Sequence, residues 1–281
     1  MKTVRAGLVS DRWRPYVLLA PLFAFLAVFF LVPLAEVAWM SVSEPALGIG
    51  HYAKVLVDPY YRRVMTDTMV TALFVTVICV LLAYPLAYVI AEIGGTAGAV
   101  LLMLVAMSFW TSFLVRTYAW MIILGNRGPV ADALRGLGWD PPPLLLFTRF
   151  SAVLALVHIL LPIMVMAIYA VMRKVDLNIM KAASSLGAAP FAAFRHVYFP
   201  LTLPGIVSGS TIVFVLCIGF YVTPVLIGSP REQMISGVIG QQIEEFLAFG
   251  EASTMAIVLL AVTVIVLSVY HRFFGLDRLW G

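Results

Sequence analysis

Six long apolar runs dominate this chain and leave it few ways to fold. They cover approximately Tyr16–Ala38, Thr68–Ala91, Ala99–Leu124, Ser151–Met172, Leu203–Ile227 and Ala252–Tyr270. Each holds about 19 to 26 residues, which as a helix rising ~1.5 Å per residue crosses the ~30 Å of hydrocarbon in a bilayer. Hydrophobic residues make up 63% of the chain and charged residues only 11%, against about 25% charged in an average soluble domain. Folded in water, such a chain would expose large apolar patches. Disorder is excluded as well, because it requires low hydrophobicity. In lipid every backbone N–H and C=O must find a partner inside the protein, and runs of this length satisfy that as helices. The expectation is an all-α membrane protein with six transmembrane helices, a single transmembrane domain over residues 1–281.

Lysine and arginine set the orientation. The first run follows Lys2, Arg5, Arg12 and Arg14 in the segment 1–15. It is longer than the ~7–15-residue core of a signal peptide, so it reads as an uncleaved span. With the N-terminus inside, the inner side holds these four plus Arg173, Lys174, Lys181, Arg195, Arg272 and Arg278. The outer loops hold Lys54, Arg62, Arg63, Arg127, Arg135, Arg149 and Arg231. The bias places both termini in the cytoplasm, together with the segment between spans four and five. Cys79 and Cys217 fall inside apolar runs, so no disulfide framework is implied. The net charge of +4 is spread too thinly to predict nucleic-acid binding.

Polar residues inside the spans are few. Pro85, Pro162 and Pro224 lie within spans two, four and five. They fit kinked membrane helices, and equally a broken helix beside a translocation path. Arg116 lies about 17 residues into the third run, about 26 Å along a straight helix, near the outer interface. Such an arginine either snorkels or pairs with an acid, with Glu36 and Asp67 as candidates, or it belongs to a path or gate. Trp110, Tyr118, Trp120 and Tyr221 fit an interfacial aromatic belt, or rings that guide a cation at about 0.5–2 kcal/mol each. His158 reads as a helix-to-helix hydrogen-bond partner. No Gly-x-Ser-x-Gly or His-Glu-x-x-His pattern occurs, and no His pair has metal-ligand spacing. No catalytic residue and no metal site are expected.

The segment 176–205 carries most of the remaining information. It reads as two short helices and a tight turn. Asp176 caps the first helix, Gly187 supplies a left-handed C-terminal cap, and Pro190 opens the second. Pro200 and Pro204 are expected to end that second helix before span five. Phe191, Phe194 and Val197 or Tyr198 form an apolar stripe. A hairpin of this kind must dock on its own bundle, on the membrane surface or on another subunit.

At this point a resemblance emerges. Lys181-Ala182-Ala183, three residues, Gly187, and the ending Val197-Tyr198-Phe199-Pro200 resemble the coupling loop of ABC-type importer permeases. That pattern is Glu-Ala-Ala, three residues, Gly, and an apolar-x-Leu-Pro end about nine residues on. The stretches Ser108–Trp120 (Ser-Phe-Trp-Thr-Ser-Phe-Leu-Val-Arg-Thr-Tyr-Ala-Trp) and Gly219–Gly228 are similar to those of the spermidine/putrescine-type permeases, as is Gln241-Gln242-Ile243. The resemblance implies a type I ABC importer permease with a cytoplasmic coupling hairpin between spans four and five. It implies that Lys181, Ala182, Ala183, Gly187, Pro190, Phe191, Phe194 and Pro200 contact an ATPase subunit. Trp110, Arg116, Tyr118, Trp120 and Tyr221 become candidates for the translocation path.

Further implied are a second permease subunit, two ATPase subunits carrying ATP and magnesium, and an extracytoplasmic solute-binding protein at a bacterial cytoplasmic (inner) membrane. The departures are Lys181 in place of glutamate and Phe199 in place of leucine. The first implies an acidic or neutral partner residue opposite Lys181. The chain's own lysines are Lys2, Lys54, Lys174 and Lys181, and none follows a glycine, so it carries no phosphate-cradling Gly-Lys motif. That absence fits a permease subunit and also an ion-coupled secondary carrier. A membrane scaffold is a further alternative, and so is a permease for another small solute, amino-acid-derived or anionic.

Overall fold

A computed structural model describes residues 14–44, 46–176, 178–229 and 233–274, and those residues form helices and connecting turns without a strand. Lys2, Arg5, Arg12, Arg231 and Arg278, used above to orient the chain, lie outside them. The first span is α1 (Arg14–Leu26) and α2 (Val32–Ser43), joined by a single π-helical turn at Ala27–Leu31. A short α3 (Gly50–Val57) leads into the second span, α4 (Pro59–Ile93). The third is split into α5 (Gly95–Trp110) and α6 (Phe113–Leu124), after which α7 (Pro129–Gly136) lies in the connection. The fourth is α8 (Arg149–Met172). The hairpin comprises α9 (Asn178–Ser185) and α10 (Pro190–Ala193), followed by a second π turn at Phe194–Tyr198. Span five is α11 (Phe199–Gly219), broken from α12 (Val222–Ile227). Then come α13 (Ile235–Glu244) and the sixth span, α14 (Phe249–Phe274).

Among the described residues five helices are long and apolar enough to cross a membrane, or six if the bent pair at span three is one span. The expected boundaries shift in three places. Span two begins at Pro59 rather than Thr68. Asp58 accepts a hydrogen bond from the Tyr60 N–H (2.8 Å) and Pro59 occupies the first turn, a start signal written in the sequence as Asp-Pro. Span three is not one helix over Ala99–Leu124, because its axis turns by 89° at Thr111–Ser112. Span five does not run unbroken to Ile227; it stops at Gly219, and α12 restarts after Phe220–Tyr221.

The helix α8 lies at the centre. Of its apolar window 67% is buried, against 0% for the first span, which lies on the outside of the bundle. On α8, Leu156, Leu160, Met164, Ile168 and Met172 recur every four residues and are fully buried. Small residues on α4 (Ala72, Cys79, Ala83 and Ala87) face them and let the two backbones approach.

On α11 the approach is closer still. Gly205 and Gly209 have the Gly-x-x-x-Gly spacing, and a Cβ on Gly205 would lie 3.1 Å from the Ile168 Cα. On Gly209 it would lie 2.8 Å from Met164 Sδ. Met164 is itself fully buried and has little room to yield. Gly205→Leu is therefore expected to destabilise the bundle by about 1–3 kcal/mol, the ordinary effect of overpacking a filled core. The check is a lowered unfolding midpoint in a denaturant titration of the detergent-solubilised protein.

Candidate functional site

Two regions depart from regular spans, the inner hairpin and the facing breaks in spans three and five. In the hairpin, Asp176 accepts from the Asn178 N–H (2.9 Å) and so caps α9. Gly187 adopts φ +87°, which only a residue without a Cβ takes freely. Its N–H bonds to the Ser184 carbonyl (3.0 Å), and the Ala188 N–H reaches back to Ala183 (3.1 Å). This pair of reverse bonds closes the helix in a Schellman motif. Pro190 occupies the first turn of α10. The turn is thus fixed by backbone chemistry, and it carries Leu186 (90% exposed) and Phe191 (73% exposed) outward. Lys181, Ala182, Gly187, Pro190 and Pro200 are exposed, and Ala183 is half-buried. Leu177 lies outside the described residues.

Phe194 behaves differently from Phe191. It turns toward the bundle and packs edge-on against Tyr88 (5.8 Å between centroids). Nor do Pro200 and Pro204 end the second hairpin helix, which runs on into span five as one stretch, Pro190–Gly219. The π turn explains this. The Phe199 N–H bonds to the Phe194 carbonyl, five residues back, and this wide turn brings Pro200 into the first turn of α11, where a missing N–H is harmless.

The two breaks meet near α8. Thr117 on α6 and Thr223 on α12, both fully buried, share a hydroxyl–hydroxyl bond of 2.9 Å. Phe113 and Phe220 pack edge-on at 5.6 Å. The backbone groups freed by the breaks are taken up by neighbours, as lipid demands. The Ile227 carbonyl at the end of α12 accepts from Ser151 Oγ (2.7 Å) and the Phe147 N–H (3.1 Å). The Phe220 carbonyl accepts from Ser236 Oγ (3.1 Å). These hydroxyls were not singled out from the sequence, although lone Ser and Thr in apolar spans are the signal that finds them.

Arg116 is 7% exposed and lies inside the bundle; because the third span turns at Thr111–Ser112, the straight-helix distance of about 26 Å does not apply to it. Its guanidinium donates to the Thr111 carbonyl at the break (3.0 Å) and to the Ile159 carbonyl on α8 (3.5 Å). Ile159 lies three residues before Pro162 on α8. Neither suggested acid pairs with it: Asp67 lies 3.7 Å from Arg63 and 3.8 Å from Arg149, and Glu36 is exposed. Trp120 donates its Nε1–H to His158 Nδ1 (3.1 Å), the helix-to-helix role expected of that histidine. The structure thus brings Arg116 and Trp120 onto α8. It leaves Tyr118 (53%) and Tyr221 (42%) largely exposed, and Trp110 (85%) exposed with its ring edge-on to Phe109.

No family model matches the chain. The fold is shared with a chain of the bacterial alginate ABC transporter solved in complex with an alginate pentasaccharide-bound periplasmic protein. The TM-score is 0.80, with 15% identity over 94% of this chain and 94% of that one. By sequence, the spermidine/putrescine transport system permease protein PotB of Escherichia coli (strain K12) is 34% identical over 83% of this chain and 84% of its own length. PotB of Haemophilus influenzae is 30% identical over 90% of this chain and 91% of its own. The chain belongs to the PotB family of ABC transporter permeases. It is a transport component, multi-pass in the inner membrane.

Proposed function

We propose that the chain forms part of the path by which a polyamine of the spermidine/putrescine class, or a related small organic solute, enters the cell in an ATP-driven importer. The observation that carries the reading is the hairpin, a rigidly capped turn presenting Leu186 and Phe191 beyond the bundle. A pair of large exposed apolar side chains on a fixed turn is a docking feature, and the family supplies the partner, an ATPase. The working unit would contain a second permease subunit, two ATPase subunits holding ATP and magnesium, and a solute-binding protein outside. Closure of the ATPases would draw the hairpins together and reopen the helices outward. Both termini and the hairpin would lie in the cytoplasm. Arg116 is engaged by main-chain carbonyls, so no anionic solute is needed to account for it.

Proteoliposomes carrying the assembled complex test this. ATP inside should drive uptake of putrescine or spermidine; uptake by this chain alone, driven by an ion gradient, overturns the reading. Failure of the cognate binding protein to bind either polyamine by calorimetry would remove the substrate assignment. For orientation, an alkaline phosphatase fused at Ser185 should be inactive and one fused at Gly136 active. Lys181→Glu is expected to weaken ATPase coupling by a few-fold, about 1 kcal/mol for a reversed rim charge. Unchanged or improved coupling would show that no acidic or neutral residue is matched to Lys181.

A further inference from the structure

The hairpin is joined to the bundle by more than its own chain. Five aromatic side chains gather where the π turn meets the inner half of α4. Tyr88 packs edge-on against Phe194 (5.8 Å) and Tyr198 (5.4 Å). Tyr84 packs against Phe194 (6.2 Å, edge-on) and Phe199 (5.7 Å, tilted). Phe194 and Tyr198 stack on each other at 5.8 Å. Tyr84 also shares a hydroxyl bond of 3.0 Å with Thr202 on α11. Tyr198 is among the largest fully buried side chains of the described residues, Tyr84, Tyr88 and Phe194 are half-buried and Phe199 is 38% exposed, so the cluster is anchored in the core through Tyr198.

The placement matters mechanically. The backbone leaves the hairpin only into α8 on one side and into α11 on the other. The exit into α11 passes through the π turn, a wide i→i+5 turn of the kind often found at functional sites. A hinge there, acting alone, would let the hairpin move without moving the spans. The rings remove that freedom. Edge-on and stacked aromatic pairs are directional, and packed cores respond to displacement by shifting as units, without continuous deformation.

We propose that Tyr84, Tyr88 and Tyr198 are positioning residues that transmit displacement of the hairpin across the π turn to α4, the second span. This rests on the importer reading above and adds to it the route by which the membrane helices receive the movement. In this role the tyrosines touch neither nucleotide nor solute. They act through Phe194, which is why that residue faces inward while Phe191 faces out.

The test is a coupling ratio, solute moved per ATP hydrolysed, measured on the complete reconstituted complex. In Tyr84→Leu/Tyr88→Leu, ATP hydrolysis should persist while uptake falls, lowering the ratio about fivefold or more, the scale of a lost coupling between sites. Tyr84→Phe/Tyr88→Phe keeps the rings and should keep the ratio close to that of the unmodified complex. If the double leucine variant does not assemble, Tyr88→Leu alone provides the same ratio. A ratio unchanged in the leucine variants, or hydrolysis and uptake falling in equal proportion, overturns the proposal. Absence of ATP-driven uptake in the unmodified complex is a separate result; it overturns the importer reading on which this one stands.

Discussion

The paired substitution Leu186→Glu/Phe191→Glu is expected to abolish ATP-driven uptake while leaving the membrane bundle intact. Both side chains are largely exposed, so the fold loses little by their replacement, within about 0.5 kcal/mol for surface positions away from special features. At an interface the balance reverses. A central apolar anchor removed from its pocket costs about 2 kcal/mol or more, and a carboxylate forced into the same place adds a desolvation penalty. At about 1.4 kcal/mol per factor of ten, the pair should weaken docking on the order of a thousandfold. Affinity capture of the tagged permease from detergent should no longer retain an ATPase subunit, although yield and unfolding midpoint stay as before. Full retention of the ATPase by this variant would show that the exposed tip is not the docking surface.

The second large effect is expected at Arg116. Arg116→Met withdraws the donor from the Thr111 carbonyl, the group exposed where span three breaks. Stranding a partly buried acceptor costs about 1–3 kcal/mol. The substitution also removes a buried charge, and that change alone favours the apolar residue. Arg116 Nε is itself buried without a hydrogen-bond partner, so the native guanidinium is not fully satisfied. These terms partly cancel, and the net loss of stability should be near 1 kcal/mol. Transport should suffer more, because α6 would no longer be tied to both the end of α5 and the Pro162 region of α8. Uptake at saturating solute is expected to fall about tenfold or more, the scale of a misplaced element remote from the moving group. Arg116→Lys keeps the charge without the planar fork that reaches both carbonyls, and should recover only part of the loss. Uptake at the unmodified rate by the methionine variant would assign the arginine to folding alone.

Some of this was legible in the residues. The apolar runs marked the helices long enough to cross a bilayer, because helix rise and bilayer thickness leave little latitude. The caps of the hairpin were equally legible. Asp176, Gly187 and Pro190 act within a few residues of themselves, and their backbone preferences need no tertiary context. The breaks were not legible. Between Ala99 and Leu124 the residues on both sides of Thr111 are apolar, and hydropathy does not change when a helix turns by 89°. The same holds at Phe220. Proline was an uneven signal: Pro224 lies just after the break in span five, whereas Pro200 and Pro204 lie inside a continuous helix because an adjoining π turn accommodates the first of them.

By itself, then, the sequence determined that this is an all-helical, multi-pass membrane protein with a capped hairpin between spans four and five. It also determined, by motif, the family to which that hairpin belongs. Tertiary structure alone decided which way the hairpin's aromatic residues face, with Phe191 outward and Phe194 in the ring cluster on α4. It likewise decided that Arg116 is held by main-chain carbonyls inside the bundle. The physical reason is range. Caps and hydropathy act along the chain over a turn or two, whereas a broken span is stable only where a residue distant in sequence supplies the missing hydrogen bonds. At the break in span five Ser151 and Ser236 do so.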